Sequence, residues 1–329
     1  MMRTLIPMPN ACANGVQVSA HAAVTMIARV MTAGTNQVTM RSTRFWTRAF
    51  TFGNIVNILN QNAPLVIIAA AGTFVIISGN FDLSTGAIYS VAGVVAAWLA
   101  VTTENVVLAL IAGPLIGMLL GAFNGTVITR LRVHSFLATL ASSMIFTTIA
   151  VLITGGSLIT VTTAGFTALG RDRVGGIFVA VLVMIVVVAI LWFVLSRTLF
   201  GRHVYAVGGN AEAAELSGIR VNRTRILVFV ISGLAAGTAA AIGVSRIASG
   251  QPLAGAGLEL SAIAAVILGG TSIYGGIGAV WRSVAGVFLI ALIGNGFDLL
   301  NLNPQLKDMV TGFIILAAVG LAAAGRDKR

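Results

Sequence analysis

From residue 62 to residue 297 the chain returns repeatedly to apolar runs of the length that crosses a lipid bilayer. A helix needs about 20 apolar residues to span the ~30 Å hydrocarbon layer. Residues 62–78, 86–101, 106–128, 136–154, 177–196, 226–245, 279–297 and 308–324 come close to that length. Hydrocarbon offers no water to backbone N–H and C=O groups, so such runs fold as helices. Only 9% of residues are charged, against about 25% in a soluble domain. The expected fold is an all-α membrane protein, a polytopic helical bundle of about nine or ten transmembrane helices. Residues 259–270 break the pattern, being too short for a straight span and running into the Gly-rich LGGTSIYGGIG of 268–278. A broken or partial helix is expected near 259–278.

The net charge of +11 comes from 18 Arg and 2 Lys against 9 acidic residues, and most of the excess sits between the apolar runs. That distribution speaks for membrane topology and not for nucleic-acid binding. One side collects Arg130, Arg132, Arg197, Arg202, Arg220, Arg223, Arg225, Arg282, Arg326, Lys328 and Arg329; the other has Arg171, Arg173, Arg246 and Lys307. The positive-inside rule then puts the 197–225 loop and the C-terminal tail, 326–329, in the cytoplasm. Residues 1–50 form an atypical N-terminal segment. Their apolar stretch is broken by Asn14, Gln17, His21 and Arg29, and Arg41, Arg44 and Arg48 follow around Trp46. Tracing the spans back from Arg130 puts these arginines outside, unless a segment before residue 50 crosses the membrane.

Chemistry by the chain itself is excluded on several counts. Cys12 is the only cysteine, and the three histidines, His21, His134 and His203, share no metal-ligand spacing. There is no GxxxxGK[ST] phosphate loop. No metal, no cofactor and no ATP hydrolysis are expected, and no catalytic residue is assigned.

The longest informative polar interruption is GRHVYAVGGNAEAAELSGIRVNRTR, 201–225. Gly208 and Gly209 loosen the backbone before Asn210, which suits the N-cap of a short helix over 211–217 with Glu212 in its first turn. Gly218 stands where a left-handed stop is expected. Ala211, Ala214, Glu215 and Gly218 fall on one small-sided face. A short capped helix in a basic loop suggests a docking knob for a cytoplasmic partner, beside the plainer reading of an ordinary positive-inside loop.

Small residues are the second organising feature. Gly113, Gly117, Gly121 and Gly125 repeat every four residues along one helix face, and Gly233 and Gly237 share the spacing. Such faces let helices approach closely, and tight packing is the expected role. Polar groups at membrane depth are costly and therefore informative. The GNFDLS hinge supplies Asn80, Asp82 and Ser84; Asn124, Glu259, Asp298 and the trio Gly269, Gly270 and Thr271 lie elsewhere. Asp82 fits equally a helix cap near Ser84 and a place on a translocation path.

Several of these runs, in order and with natural spacing over about 50–325, resemble the permease subunits of bacterial ribose/monosaccharide-type ABC importers. They are NILNQNAP (57–64), ISGNFDLSTGAI (77–88), GAFNGTVITRLRVHSFLATL (121–140), GRHVYAVGGNAEAAELSGIRV (201–221), AGAGLELSAIAAVILGGTSIYGGIGAV (254–280) and GNGFDLLNLNPQLKDMVTGFIILAAV (294–319). The most specific parts are GGNxEAAxLSGI and ELxAIAAVxLGGTSxxGGxG. The resemblance implies a non-catalytic permease domain over 51–325 in the bacterial plasma (inner) membrane, surrounded by membrane lipid. Its implied partners are a second permease copy, a cytoplasmic ABC ATPase and a periplasmic or extracellular sugar-binding protein. It places ATPase coupling on Asn210, Glu212, Ala213, Ala214 and Gly218, with Arg202 beside them. It also leaves Asn80, Asp82, Ser84, Asn124, Glu259, Gly269, Gly270 and Thr271 as candidates for the translocation path or its hinge. The linker with Pro252, Gly255 and Gly257, on the expected outer side, is a candidate contact for the binding protein. Family members carry a strongly apolar helix where this chain has 11–50, so the first span is expected to be lost or replaced, or the natural start to lie elsewhere. The segment after Leu152 matches only loosely. Two other readings stand beside this one: a branched-chain amino acid-type ABC permease, and a self-sufficient secondary transporter or channel.

Overall fold

The computed structural model describes residues 51–300 and, beyond them, residues 303, 306, 309, 310, 312, 313 and 316. The N-terminal segment, most of the expected 308–324 span and the tail lie outside the described residues. Among the described residues seven helices are long and apolar enough to cross a membrane. They are α1 (Phe52–Ile77), α2 (Thr85–Thr103), α3 (Val106–Leu131), α4 (Ser135–Thr154), α6 (Val179–Arg197), α9 (Val221–Ile247) and α11 (Val280–Leu299). Four shorter helices join them: α5 (Ala168–Arg171), α7 (Leu199–Gly209), α8 (Ala211–Leu216) and α10 (Leu258–Leu268). The β content is two antiparallel two-residue pairs, β1 (Ile159–Thr160) with β4 (Ser249–Gly250) and β2 (Arg173–Val174) with β3 (Ile177–Phe178). The structure is thus all-α in character, and the expected total of nine or ten spans reaches into residues that are not described.

Helix ends follow local chemistry. Thr51 Oγ1 accepts from Asn54 N–H, Asn105 Oδ1 from Leu108 N–H and Thr198 Oγ1 from Gly201 N–H, each satisfying an orphan donor of the first turn. The α1 helix starts ten residues earlier than hydropathy suggested, because Asn54, Asn57, Asn60 and Gln61 interrupt the apolar run without stopping the helix. Pro64 lies inside α1. A proline has no N–H for the carbonyl four residues before it, here that of Asn60. Arg246 Nη1 donates to Asn60 O at 3.0 Å and to Gln61 O at 2.9 Å, while Arg171 Nε donates to Arg246 O at 2.7 Å. Two arginines, Arg246 and Arg171, thereby tie α1, α5 and α9 together at the expected outer side.

α1, α2 and α9 are mostly buried, whereas α3, α4 and α6 turn large apolar side chains such as Leu119, Met144 and Phe193 outward. A helix that is apolar all round is at home either in a core or against lipid. The glycine rows of α3 and α9 face each other. A methyl at Gly117 would sit 2.8 Å from Gly237 N and 2.9 Å from its Cα; one at Gly233 would sit 2.8 Å from Gly121 Cα. The expected packing face is therefore a backbone-to-backbone contact between two helices.

Candidate functional site

The hinge between α1 and α2 is non-helical and buried. Asp82 Oδ1 accepts from Ser84 N–H at 3.0 Å and from Ser84 Oγ at 2.5 Å, and Asp82 Oδ2 accepts from Ser232 Oγ of α9 at 2.7 Å. Asn124 Nδ2 of α3 donates to Ser84 Oγ at 2.7 Å. From α4, Ser135 Oγ and Thr139 Oγ1 accept from the amides of Phe81 and Leu83, both at 3.1 Å. Asn80 turns back onto Ser78. Asn124 lies about 10 Å along α3 from its inner end, so this network sits in the inner third of that helix. Asp82 folds back on Ser84, the residue before α2, without capping a first-turn amide of that helix, and it also bonds a distant helix. Ser232 and the pair Ser135/Thr139 escaped sequence reading; hydroxyls inside apolar runs are the signal that could have found them.

A second non-helical stretch, 250–257, runs alongside α2. At its start Gly250 lies against Val94 and Ala97; further on, the Gly255 amide donates to Ser90 Oγ at 2.9 Å and Gly255 presses on the backbone of Gly86. It descends from the outer half of α2 to its first turns. Gly255 is therefore buried at depth, and Gly257 caps α10 there with φ 82°. Of the three residues offered as an outer contact, Gly255 is buried against α2, whereas Pro252 is half-buried and Gly257 is exposed. The α10 helix that follows has 11 residues, about 16 Å or half a bilayer.

Glu259, in the first turn of α10, is half-buried; its Oε1 accepts from Gly257 N–H at 3.2 Å and its other oxygen sits against Gly86. Asp82 and Glu259 line one cavity with Gly72 and Val75 of α1 and Ala262 of α10. Its volume of about 10 Å³ holds a single water at most, so no sugar-sized opening exists between the two carboxylates in this conformation. Gly269 packs on Arg282 and Ser283 at the start of α11, Gly270 turns with φ 84°, and Thr271 is buried below them. The hinge residues and Glu259 thus converge, while the 269–271 trio lies at the other end of α10. Asp298 is exposed near the end of α11.

On the cationic side, α7 and α8 realise the capped-helix reading. Asn210 Oδ1 accepts from Ala213 N–H at 3.0 Å, and Gly218 has φ 84°. Of the small face only Ala214 turns fully inward, against Val207 and Val221, with Ala211 half-buried; Glu215 and Gly218 stay exposed. Burying the smallest side chain brings α8 close to its own support. The outward side carries Glu212, Ala213 and Leu216, the last 85% exposed. Leu216, unremarked in the sequence, is a large apolar residue displayed at the tip of a polar loop. Arg202 is exposed on α7. Tyr205 donates its phenol to Gly278 O at 2.8 Å; partial burial raises its pKa above the ordinary tyrosine value, with the Arg282 charge opposing, so it stays a neutral donor.

Membrane-length helices, a polar and partly non-helical seam in the inner part of the bundle, and a capped knob on the cationic side define a polytopic transport permease. Residues 54–319 match the family described as branched-chain amino acid transport system / permease component, and the chain belongs to that permease family. It is 42% identical to the ribose import permease protein RbsC of Bacillus subtilis over 268 residues, 81% of this chain and 83% of that one. It is 37% identical to the D-allose transport system permease protein AlsC of Escherichia coli over 82% of this chain and 83% of that one. Identity to the L-arabinose transport system permease protein AraH of Escherichia coli is 38%, over 77% of each. No solved structure matches the chain significantly.

Proposed function

We propose that the chain is the membrane subunit of an ATP-binding-cassette importer that moves a monosaccharide into the cytoplasm, with ATP hydrolysed by a separate subunit. The observation that carries this reading is α8, a capped helix on the cationic side that displays Leu216, Glu212 and Ala213 outward. The Asn210 cap holds these side chains outward on the cationic loop, within reach of a protein partner. Likeness to permeases named for ribose, D-allose and L-arabinose supports a sugar as cargo.

In this reading two copies of the chain meet in the bacterial plasma membrane, an ATPase docks on α8 of each, and a sugar-binding protein docks outside. The C-terminus is cytoplasmic. Glu212, Ala213, Leu216 and Gly218 meet the ATPase, Arg202 flanks them, and Asn210 and Ala214 hold the helix in place. Asn80, Asp82, Ser84, Asn124 and Glu259 border the path, with Gly269, Gly270 and Thr271 at its inner end. Residues 250–257 and α10 together make a discontinuous crossing, the arrangement transporters use near the midplane. Because backbone that is not helical cannot face lipid, the exposed part of 250–257 faces water or protein. ATP binding works by favouring one permease conformation over the other.

The test is co-expression of the tagged chain with a candidate ATPase subunit and a sugar-binding protein. Recovery of the ATPase, and hydrolysis stimulated by binding protein loaded with D-ribose, D-allose or L-arabinose, are the expected results. Stimulation by leucine alone would favour the amino acid reading that the family description offers, and uptake without any ATPase would favour a secondary transporter.

A further inference from the structure

Three separate stretches of chain meet below the hinge with no side chain between them. The end of α1 contributes Ile77 and Gly79, the end of α7 contributes Gly208, and the loop from α10 to α11 contributes Gly275 and Gly276. The Gly276 amide donates to Ile77 O at 2.8 Å. A methyl at Gly208 would collide with Ile77 O and sit 2.7 Å from Ile77 C and 2.8 Å from Gly276 N; a methyl at Gly275 would sit 2.6 Å from Gly208 O and 3.1 Å from Gly79 Cα. Two side-chain contacts brace the same place. Phe200 of α7 stacks on Phe74 of α1 with centroids 6.3 Å apart, and Tyr205 of α7 bonds Gly278 O.

What lies on either side gives this junction its meaning. Gly208 is two residues before Asn210, the cap of α8. Gly79 is three residues before Asp82, and the 275–278 loop joins α10, which carries Glu259, to α11. We infer that Gly208, with Tyr205, is a positioning element that transmits displacement of α8 to both polar elements of the seam. Backbone packed on backbone has no rotamers to absorb a shift, and well-packed contacts switch as units instead of deforming gradually. A push on α8 therefore moves the hinge and the lower end of α10 together. The inference rests on the ATPase-docking reading of α8 and adds the route by which that docking reaches the path.

Gly208 is the clean position to test, since Gly79 and Gly275 have φ of 76° and 88° and would be strained by any side chain. Its neighbour Gly209 has open space around it and serves as the matched control. The full complex, with ATPase and binding protein, is reconstituted in vesicles, and D-ribose taken up per ATP hydrolysed is measured. Gly208→Ala is expected to recover the ATPase yet to fall at least ten-fold in sugar per ATP, while Gly209→Ala stays within two-fold of wild type. Tyr205→Phe, which removes one hydrogen bond and adds no volume, is expected to fall two- to five-fold with assembly unchanged. A Gly208→Ala complex that assembles and keeps the wild-type ratio overturns the inference. Should Gly208→Ala fail to assemble, a wild-type ratio in Tyr205→Phe overturns it instead. Failure of the wild-type chain to recover the ATPase, or to respond to D-ribose, D-allose or L-arabinose, overturns the functional reading itself.

Discussion

The α3–α9 contact and the α1–α2 hinge lie side by side in the membrane and are built on opposite principles. At the middle of the α3–α9 contact there is almost nothing but backbone: Gly117, Gly121, Gly233 and Gly237 take side chains out of the seam there. The hinge is held through polar groups tied to one another: Asp82 to Ser84 and Ser232, Ser84 to Asn124. The two regions adjoin, since Ser232 precedes Gly233 and Asn124 precedes Gly125. The glycine seam therefore acts as a fixed anvil, and the polar groups of the hinge are hooked onto it by hydrogen bonds. Close packing gives one register and no alternatives, whereas hydrogen bonds can be exchanged for others at similar cost. In a protein that must move, the second kind belongs where movement occurs.

Breaking the anvil is expected to have the largest effect. Gly117→Leu drives a four-carbon side chain into Gly233 and Gly237, and overpacking of this kind costs about 3 kcal/mol or more. Loss of the monodisperse peak in detergent is the expected outcome; a variant that purifies and melts like wild type would mean that α3 and α9 are not held as described. Unhooking the hinge comes next. Asp82→Ala strips the acceptor from two hydroxyls and an amide that stay buried, about 2–3 kcal/mol, and thermal unfolding in detergent should shift accordingly. Asp82→Asn keeps an oxygen in place and should lose less than half as much.

The difference between these regions also explains what could be read in advance. A row of glycines four apart and an Asn-Ala-Glu cap are local patterns, so the packing face, the Asn210 cap and the left-handed Gly218 follow directly from sequence. The depth of 250–257 does not, because a Pro- and Gly-containing run looks like a surface linker until Gly86 and Ser90 are seen beside it. Nor does the direction of α8: helical periodicity says which residues share a face, not which face turns inward, and Ala214 went in while Leu216 stayed out. The first turns of α1 were missed for a related reason, since hydropathy undervalues asparagines that a helix tolerates.

At the opposite end of α1 from the hinge, Arg246 offers a smaller test of the same contrast. Its guanidinium serves the carbonyl freed by Pro64, so Arg246→Met leaves Asn60 O without that donor at a cost of about 1–2 kcal/mol. This outer clamp is remote from α8 and the cytoplasmic-side junction, so sugar moved per ATP should be unchanged even as the melting temperature falls. A drop in that ratio with stability intact would show that the outer end takes part in coupling and that the moving parts are not confined to the hinge.

The finest distinction lies within the glycine row itself. A methyl at Gly117 would collide with Gly233 O and crowd Gly237 N and Cα, but one at Gly113 would meet Gly237 O at 3.0 Å and then only Ala241 Cβ at 3.5 Å and its N at 3.7 Å. The two helices therefore open slightly toward the outer end, and Gly113 is the loosest of the four positions at which α3 touches α9. Alanine is favoured over glycine in a helix interior by about 1 kcal/mol, which opposes the cost of moving one carbonyl by a few tenths of an ångström. Gly113→Ala should consequently change the melting temperature by less than 2 °C, while Gly117→Ala, with three backbone atoms in the way, lowers it by several degrees. Equal losses at both positions would mean that the seam is uniformly tight from end to end, and that α3 and α9 are clamped along their whole contact instead of chiefly at the level where the hinge is hooked onto them.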